Sequence, residues 1–455
     1  MTNCLETLWQ KAWSQGVFIK EWKQEHRAVL PKPNKESYNE CNSYRTVSLT
    51  SILGKRFEKI SSTRLKTYLE EINFDSKQHA YLNKRSSTHA LLKLTEELKK
   101  GILNGKMAGV VFFDFTDAFG NVNRQKLIDK LWNKFKIRGK LFLHLYDFLC
   151  ERTARLHVND LTGDWKESNL GTSAGTVLGA FLFILHVSDS PECVDPKYAD
   201  DFSSVAIGDS TKEVESKLQD AVKELEKWAE DNDMLLNETK IKVMLFGADV
   251  KGDELNLTIH NKVIEQKLLF AYLGVLLDPM LTFTKHIENI ASKARKAMNK
   301  ICGLFKGRRG ISVELGLQLY IALVRPHLEY AAPVWAGISV NQWNTLENVQ
   351  HQCLKKILGA HSCSSSNATE VVAGVMPLRF RTRELCAREY IKIISRQDDN
   401  EIKKMLLTAK SIKNTFTPLS FLVSVSRNTV KKVNEIKGEL AKETRLEPQD
   451  IISQC

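Results

Sequence analysis

The stretch that decides the fold is Val110-Val111-Phe112-Phe113-Asp114, a run of β-branched and aromatic residues that ends in an acid. A short continuous apolar run is typical of a strand that is buried on both faces. A second unit is Tyr198-Ala199-Asp200-Asp201, which follows two prolines and precedes further apolar residues, a pattern that predicts a β-hairpin with the acidic pair at its turn. Because an unpaired carboxylate at a buried strand end is costly, the two units predict a cation near Asp114, Asp200 and Asp201.

The rest of the chain predicts a mixed α/β sheet domain followed by a helical domain. Thr88 to Leu103 has apolar residues at helical spacing, and Ser210 to Glu213 is a capping-box pattern that begins a helix with one apolar stripe. Lys242 to Phe246 and Leu268 to Leu277 have the composition of further strands. Beyond about residue 285 the pattern is mostly helical.

Composition narrows the class of partner and the compartment. The chain has 455 residues, enough for about two to four domains, and its net charge of +12 favours a polyanion, either nucleic acid or an anionic membrane surface. The longest apolar run, Val177 to Val187, is far shorter than the roughly 20 residues that span a bilayer. The N-terminus lacks a signal-peptide pattern, and the nine cysteines form no CxxC pair. These features predict an intracellular protein that is not secreted and does not act in a membrane.

Carboxylates in this arrangement suit phosphoryl transfer. That reaction needs placement of the attacking hydroxyl and neutralisation of charge on the phosphoryl oxygens. Two Mg²⁺ ions about 3.5–4 Å apart can do both, and two or three aspartates on adjacent strands would hold them. The alternative is that Asp200 and Asp201 are ordinary turn residues, because aspartate is common in turns.

Several motifs resemble those of reverse transcriptases from non-LTR (LINE-type) retrotransposons, of the jockey/I-like variety. Their order and spacing hold from about Gly16 to Ile394. The motifs are Tyr44 to Leu49, Leu53 to Ile60, Phe113 to Phe119, Gly171 to Phe183, Tyr198 to Asp201, Leu236 to Phe246, Tyr272 to Val275 and Leu323 to Trp335.

The resemblance implies an α/β (α+β) right-hand polymerase, with fingers and palm around a mixed or antiparallel sheet, followed by a helical thumb and a C-terminal helical region. The implied boundaries are 1–30 for an N-terminal extension, 31–106 for the fingers, 107–280 for the palm, 281–360 for the thumb and 361–455 for the C-terminal region. The implied activity is RNA-directed DNA polymerisation, which adds dNTPs to the 3′-hydroxyl of a DNA primer on an RNA template with two Mg²⁺ (or Mn²⁺) ions. The family's life cycle implies residence in the nucleus or the cytoplasm.

The resemblance also assigns roles to residues of the fingers and palm. Asp114 and Asp200 would be metal ligands, assisted by Asp201. Phe119 would pack under the sugar of the incoming nucleotide, although a core aromatic is the commoner fate of a phenylalanine. Arg45 and Lys32 would contact the triphosphate, with two alternatives for Lys32, namely a solvated loop lysine or replacement in this role by Lys35. Gly175 would let the backbone approach the template–nucleotide pair closely.

A basic segment at the start of the implied thumb would follow the phosphates of the template–primer duplex. The alternative is a solvated surface helix. The implied nucleic-acid-binding residues are Lys293, Arg295, Lys296, Lys300, Arg308 and Arg309.

Some positions depart from the family pattern. Ser173-Ala174 replaces a Pro-Gln pair, whose glutamine contacts the incoming nucleotide in the family. This departure motivates a rival hypothesis, a catalytically impaired relic that only binds RNA or template–primer. A third hypothesis is an unrelated palm-type enzyme such as a nucleotide cyclase, which the finger motifs argue against. The endonuclease of a full element has no counterpart before the fingers, so we expect a truncated copy or a partial gene product.

Overall fold

The computed structural model describes residues 2–33, 35, 37–72, 74–247, 250, 252–304, 310–395, 401–409 and 417–426. The chain divides into two compact units. The first comprises Met1–Ser86, Ala108–Leu245 and Gly252–Lys267, and the second comprises Ser87–Met107, Phe246–Lys251 and Leu268–Cys455.

The described elements are named in chain order. The helices are α1 (Thr2–Gln15), α2 (Ile52–Glu71), α3 (Ser87–Leu103), α4 (Arg124–Asp129), α5 (Gly139–Leu149), α6 (Val177–His186), α7 (Thr211–Asp231), α8 (Thr284–Gly303), α9 (Val313–Leu319), α10 (Arg325–Glu329), α11 (Ala332–Trp335), α12 (Val340–Leu358), α13 (Ser366–Ala373), α14 (Leu378–Ile394) and α15 (Glu401–Ala409). The strands are β1 (Gln24–Pro31), β2 (Tyr44–Leu49), β3 (Met107–Phe113), β4 (Thr153–Val158), β5 (Leu161–Thr162), β6 (Lys166–Glu167), β7 (Lys197–Tyr198), β8 (Asp201–Gly208), β9 (Lys242–Phe246), β10 (Thr258–Ile259), β11 (Lys262–Val263), β12 (Glu265–Gln266), β13 (Phe270–Tyr272) and β14 (Val275–Leu277).

Two larger sheets organise the first unit. One has the strand order β2-β1-β4-β5, with β6 also paired to β4; β1 is antiparallel to β2 and parallel to β4. The other has the order β12-β9-β3-β8-β7, so β3 lies between β9 and β8. The buried strand predicted before Asp114 is therefore confirmed as a central strand of this second sheet.

Helix α7 covers that second sheet, and the sequence signal for its start is confirmed. The hydroxyl of Ser210 accepts a hydrogen bond from the N–H of Glu213, while the Glu213 carboxylate accepts one from the N–H of Asp209 at 2.8 Å. Such a cap stabilises a helix by about 1 kcal/mol. The helix can lie close to β3 because Gly109 has no side chain; a Cβ there would come within 2.6 Å of Val214 Cγ1.

The first unit also contains most of the predicted N-terminal extension. Helix α1 packs on α5, where the rings of Trp13 and His144 lie 5.0 Å apart. Residues Gln24–Pro31 form β1, in the middle of its sheet. Residues 1–30 are thus largely built into this unit, while the proposed boundaries of fingers, palm and thumb stay a prediction.

The second unit is mostly helical in its described part, as predicted for the region beyond residue 285. Helix α8 packs against α12, and the buried Trp335 has ring neighbours on both, His286 at 6.3 Å and Trp343 at 5.9 Å. The strand pattern at Leu268 to Leu277 is a hairpin of β13 and β14 with Leu273 and Gly274 at its turn. Among the described helices, none combines the length and the apolarity needed to cross a bilayer.

Candidate active site

The predicted acidic hairpin is present. Strands β7 and β8 are antiparallel with Tyr198 opposite Asp201, which places Ala199 and Asp200 at a two-residue turn. Ala199 has φ 55°, a left-handed conformation that a tight turn requires. The buried amide of Gln78 fixes this turn, because its Oε1 accepts a hydrogen bond from the N–H of Ala199 at 2.9 Å.

Asp114 follows β3, the neighbouring strand of β8. The segment that contains Leu236 and Asn237 fixes the backbone of Asp114. The carbonyl of Asp114 accepts a hydrogen bond from the N–H of Asn237 at 2.8 Å, and Phe115 forms a β-bridge with Leu236. The same segment brings Lys240 to the site, where its Nζ lies 3.0 Å from Asp114 Oδ2.

The three carboxylates lie close enough to feel one another's charge. Burial first, and then the negative charge of Asp114, raise the pKa of Asp200 above its ordinary value. Burial, Asp200 and Asp114 together raise the pKa of Asp201 to about 6, although Asp201 is the most exposed of the three. Lys240 lowers both pKa values without returning them to the ordinary range. The site therefore gathers more negative charge than its own lysine compensates.

The donor chemistry of these residues suits a hard divalent cation. Carboxylate oxygens are the protein ligands that Mg²⁺ prefers, and Mg²⁺ commonly takes one or two of them and fills its other positions with water and substrate phosphate. Within the described residues, no group of three or more His, Cys, Asp or Glu side chains is arranged to hold a metal ion. The prediction that Asp114, Asp200 and Asp201 share the ions thus stays a prediction, and a site with fewer protein ligands is equally compatible with Mg²⁺ chemistry.

Phe119 is half-buried and stacks on Phe183 of α6, with ring centroids 4.2 Å apart and planes 23° apart. Its carbonyl accepts a hydrogen bond from the N–H of Thr172 at 2.9 Å. One face of the ring is therefore used in packing, as the core alternative expected. Its partly exposed remainder is compatible with the predicted contact to the nucleotide sugar, which stays untested.

Arg45 and Lys32 lie near the same end of the β1–β2 pair. Arg45 is opposite Leu30 in the register and is exposed, while Lys32 directly follows β1. The Lys32 backbone is fixed by its N–H, which donates to the carbonyl of Ser43 at 2.8 Å. Arg45 therefore lies on β2, and Lys32 lies just past the end of the neighbouring strand β1.

Gly175 approaches protein backbone closely in this structure. It has φ 101°, and a Cβ there would lie 2.9 Å from the carbonyl oxygen of Ser48 on β2. The N–H of Ser48 in turn donates to the carbonyl of Ala174 at 2.9 Å. The close contact observed at this glycine is with strand β2, and the predicted approach to the template–nucleotide pair stays a prediction.

The basic residues predicted to bind nucleic acid fall into two groups. Four are exposed on α8, namely Lys293, Arg295, Lys296 and Lys300. Arg308 and Arg309 lie outside the described residues.

Sequence reasoning missed three residues near the predicted site: Gln78, Lys240 and Glu25. Lys240 was part of a recognised motif but had no role, and its contact with Asp114 follows from pairing across 126 residues. Glu25 is fully buried on β1 and bonds to Arg152, 127 residues away. The one sequence signal that could have identified Glu25 is an acidic residue within a segment that otherwise has the pattern of a strand.

A comparison with known families agrees with this geometry. The family described as Reverse transcriptase (RNA-dependent DNA polymerase) matches residues 30–277, which are more than half of the chain. The chain belongs to the reverse transcriptase family. The predicted family and its α/β right-hand polymerase fold class are thereby confirmed, and polymerases of this family depend on divalent metal ions.

Two proteins similar to this reverse transcriptase chain are RNA-directed DNA polymerases from mobile elements. It is 26% identical over 357 residues to the RNA-directed DNA polymerase from mobile element jockey of Drosophila melanogaster, covering 76% of this chain and 38% of the relative. The corresponding jockey protein of Drosophila funebris is 25% identical over 392 residues, covering 84% and 42%. The predicted resemblance to the LINE-type, jockey-like class is confirmed. The chain spans about two fifths of the length of these curated relatives.

Among solved structures, apo telomerase from Candida tropicalis is similar over 92% of this chain and 73% of that chain, with a TM-score of 0.45 and 10% identity.

Proposed function

We propose that the chain is the RNA-directed DNA polymerase core of a non-LTR retrotransposon, which transfers dNTPs onto the 3′-hydroxyl of a DNA primer. The observation that carries this proposal is the cluster of Asp114, Asp200 and Asp201, in which burial first, and then the charges of the neighbouring carboxylates, raise the pKa values of Asp200 and Asp201. A reverse transcriptase core needs such an excess of negative charge in order to bind divalent cations beside the substrate phosphates.

Each group in the site has a role that follows from its chemistry. Asp114, Asp200 and Asp201 would hold two Mg²⁺ (or Mn²⁺) ions, which supply activation of the 3′-hydroxyl and stabilisation of the leaving pyrophosphate. Lys240 orients the carboxylate of Asp114 through its 3.0 Å contact. Gln78 holds the turn that carries Asp200.

The incoming dNTP would lie against the β1–β2 pair and Phe119. Arg45 is an exposed guanidinium, which can bind phosphate oxygens with two parallel hydrogen bonds, and Lys32 supplies a second positive charge. The open part of the Phe119 ring would bear on the sugar. This arrangement would discriminate against a 2′-hydroxyl by steric contact.

RNA template and DNA primer are the proposed macromolecular partners. The four exposed cations of α8 support this, because a helix with such a face can follow a phosphate backbone in a salt-sensitive manner. We expect duplex affinity to fall steeply with salt concentration, and neutralising two of these cations should reduce the slope by about two.

Primer extension on an RNA template with Mg²⁺ or Mn²⁺ tests the proposal. Template-dependent dNTP incorporation should occur in the wild type and vanish in Asp114→Ala and Asp200→Ala. Asp220→Ala, an exposed aspartate on α7, is the matched control and should retain activity. Salt-sensitive duplex binding without any incorporation would contradict the proposal and identify the impaired relic.

A further inference from the structure

A buried ionic centre lies beside the loop that departs from the family pattern. Glu25 is fully buried on β1, and Arg152 Nε donates to its Oε1 at 2.7 Å, with both side chains at most 1% exposed. Burial alone would raise the pKa of Glu25, but Arg152 and hydrogen bonds from Ser173, Arg152 and Ser48 outweigh it and hold the pKa below its ordinary value. The carboxylate is therefore ionised at neutral pH.

Two serines from different segments converge on this carboxylate. Ser48 of β2 donates its hydroxyl to Glu25 Oε2 at 2.8 Å, and Ser173 donates its hydroxyl to Oε1. Hydrogen bonds to an ionised acceptor are roughly twice as strong as neutral ones. The centre thus ties the loop of residues 171–176 to the same carboxylate as β2.

Backbone contacts complete this tie. The N–H of Ser48 donates to the carbonyl of Ala174, and Gly175 is packed against the carbonyl of Ser48. Ser173 has φ 58°. A proline could not adopt that conformation, because its ring fixes φ near about −65°. The loop conformation in this chain is therefore incompatible with the family's proline at position 173.

We propose that Glu25 is a positioning residue for the incoming dNTP, acting through Ser173 to clamp the loop 171–176 onto β2. The clamp makes the loop and the strand that carries Arg45 one continuous surface, so the triphosphate and the base would meet groups that are already in place. Preorganisation of this kind increases affinity because less ordering is needed on binding. This inference rests on the proposed function, since it takes the ligand to be a dNTP.

The clamp also changes what restoration of the family motif should do. Ala174 is exposed and its carbonyl is engaged by Ser48, so Ala174→Gln adds a side chain without disturbing the clamp. Ser173→Pro, by contrast, removes the hydroxyl and cannot adopt the observed φ. We therefore expect Ala174→Gln to preserve or increase dNTP affinity and the double variant S173P/A174Q to weaken it.

The test measures binding of the next correct dNTP to the complex of the full chain with a dideoxy-terminated primer on RNA, which requires no turnover. Ser173→Ala and Ser173→Gly both remove the hydroxyl, and the glycine variant does so without strain at positive φ. Both should raise the dNTP Kd by about tenfold, as expected for loss of a hydrogen bond to a charged group, while the Kd for primer–template is unchanged. Ser62→Ala, another buried serine whose hydroxyl bonds within α2, is the control and should leave both constants unchanged.

Amide hydrogen exchange of Ser48 reports the clamp independently of nucleotide. Exchange of this amide should accelerate in both Ser173 variants and stay slow in Ser62→Ala. An unchanged Ser48 exchange rate in the Ser173 variants would overturn the clamp. Faster exchange with an unchanged dNTP Kd would overturn its positioning role.

A wild type that fails to extend primers would refute the proposed function, and Ser48 exchange would then still decide whether the clamp exists. Glu25→Gln is less informative, because it leaves the buried guanidinium of Arg152 uncompensated and can unfold the unit.

Discussion

Replacing Gln78 with methionine should disable catalysis by releasing the acidic hairpin. Gln78 is fully buried, and its Oε1 accepts hydrogen bonds from the N–H of Ala199 at 2.9 Å and of Ala80 at 3.0 Å. Its third contact, from Nε2 to the carbonyl of Ala199, is 3.5 Å long and contributes little. Methionine has a similar shape and cannot accept these bonds well.

The magnitude follows from the two N–H groups that lose their acceptor. Each buried, unsatisfied donor costs about 1–3 kcal/mol, so the two together cost about 2–6 kcal/mol before relaxation. The turn can relax by moving away from the 78–80 segment, and that movement displaces Asp200. Because a misplacement of about 1 Å can reduce a rate about 100-fold, we expect kcat to fall by that order while dNTP affinity changes little.

Single-turnover primer extension at saturating dNTP measures the effect, with thermal unfolding measured in parallel. Gln350→Met is the matched control, since Gln350 is also fully buried and has two short hydrogen bonds, with Tyr320 at 2.6 Å and Glu370 at 2.7 Å, within the second unit. It should lose comparable stability and keep kcat within about twofold, as expected when lost hydrogen bonds lie outside the site. Equal losses of kcat in both variants, or an unchanged kcat in Gln78→Met, would refute the reasoning.

Four further outcomes are expected. Lys240→Met removes the cation that lies 3.0 Å from Asp114. Because Lys240 lowers the pKa of Asp201, its loss should move the acid limb of the pH profile of kcat/KM to higher pH. An acid limb at the same pH would contradict the electrostatic role of Lys240. The pKa of Asp201 is raised from 3.8 to about 6, so the metal-free protein binds more protons when folded than when unfolded and should lose stability as pH rises through that interval. Mg²⁺ competes with this proton, so the Mg²⁺ concentration needed for half-maximal thermal stabilisation should fall between pH 5 and 7 in the wild type, and Asp201→Asn should flatten the dependence. The β13–β14 turn lies within the Tyr272 to Val275 motif, which resembles the primer grip of the family, so we expect this turn to hold the primer. Tyr330→Phe removes the 2.8 Å hydrogen bond to the carbonyl of Leu273 in this turn, which should cost about 1 kcal/mol of stability and shorten the products of primer extension. An unchanged product-length distribution would argue against that role.

The elements that the sequence predicted well are those specified by local patterns. The apolar run before Asp114, the acidic hairpin and the Ser210 cap each depend on neighbouring residues, and each is present. Contacts across long separations could not be predicted in this way. Gln78 meets Ala199 across 121 residues, and a buried glutamine has no sequence signature that distinguishes it from an exposed one.

The predictions for Gly175 and Phe119 were limited in the same way, because the sequence did not show which distant residues these two would contact. Gly175 was expected to approach a ligand, and its close contact in the structure is with Ser48, because a positive φ indicates crowding without naming the neighbour. Phe119 packs one face on Phe183 and keeps part of its surface open. A side chain can serve packing and binding at once, so the two hypotheses for Phe119 were never exclusive.

The departures from the family pattern and the acidic cluster bear on different steps of the proposed reaction. Asp114, Asp200 and Asp201 form the acidic cluster that we propose for the chemical step, and burial together with repulsion between the carboxylates raises the pKa values of Asp200 and Asp201. The departures at Ser173 and Ala174 would bear on binding of the nucleotide, and in this structure the loop that contains them is held by the contacts of Ser173 with Glu25 and of Ala174 with Ser48. If the loss of Pro-Gln had left the loop unsupported, its backbone groups would lack these partners. A weakened dNTP affinity with an intact chemical step is therefore the most that these two substitutions should produce.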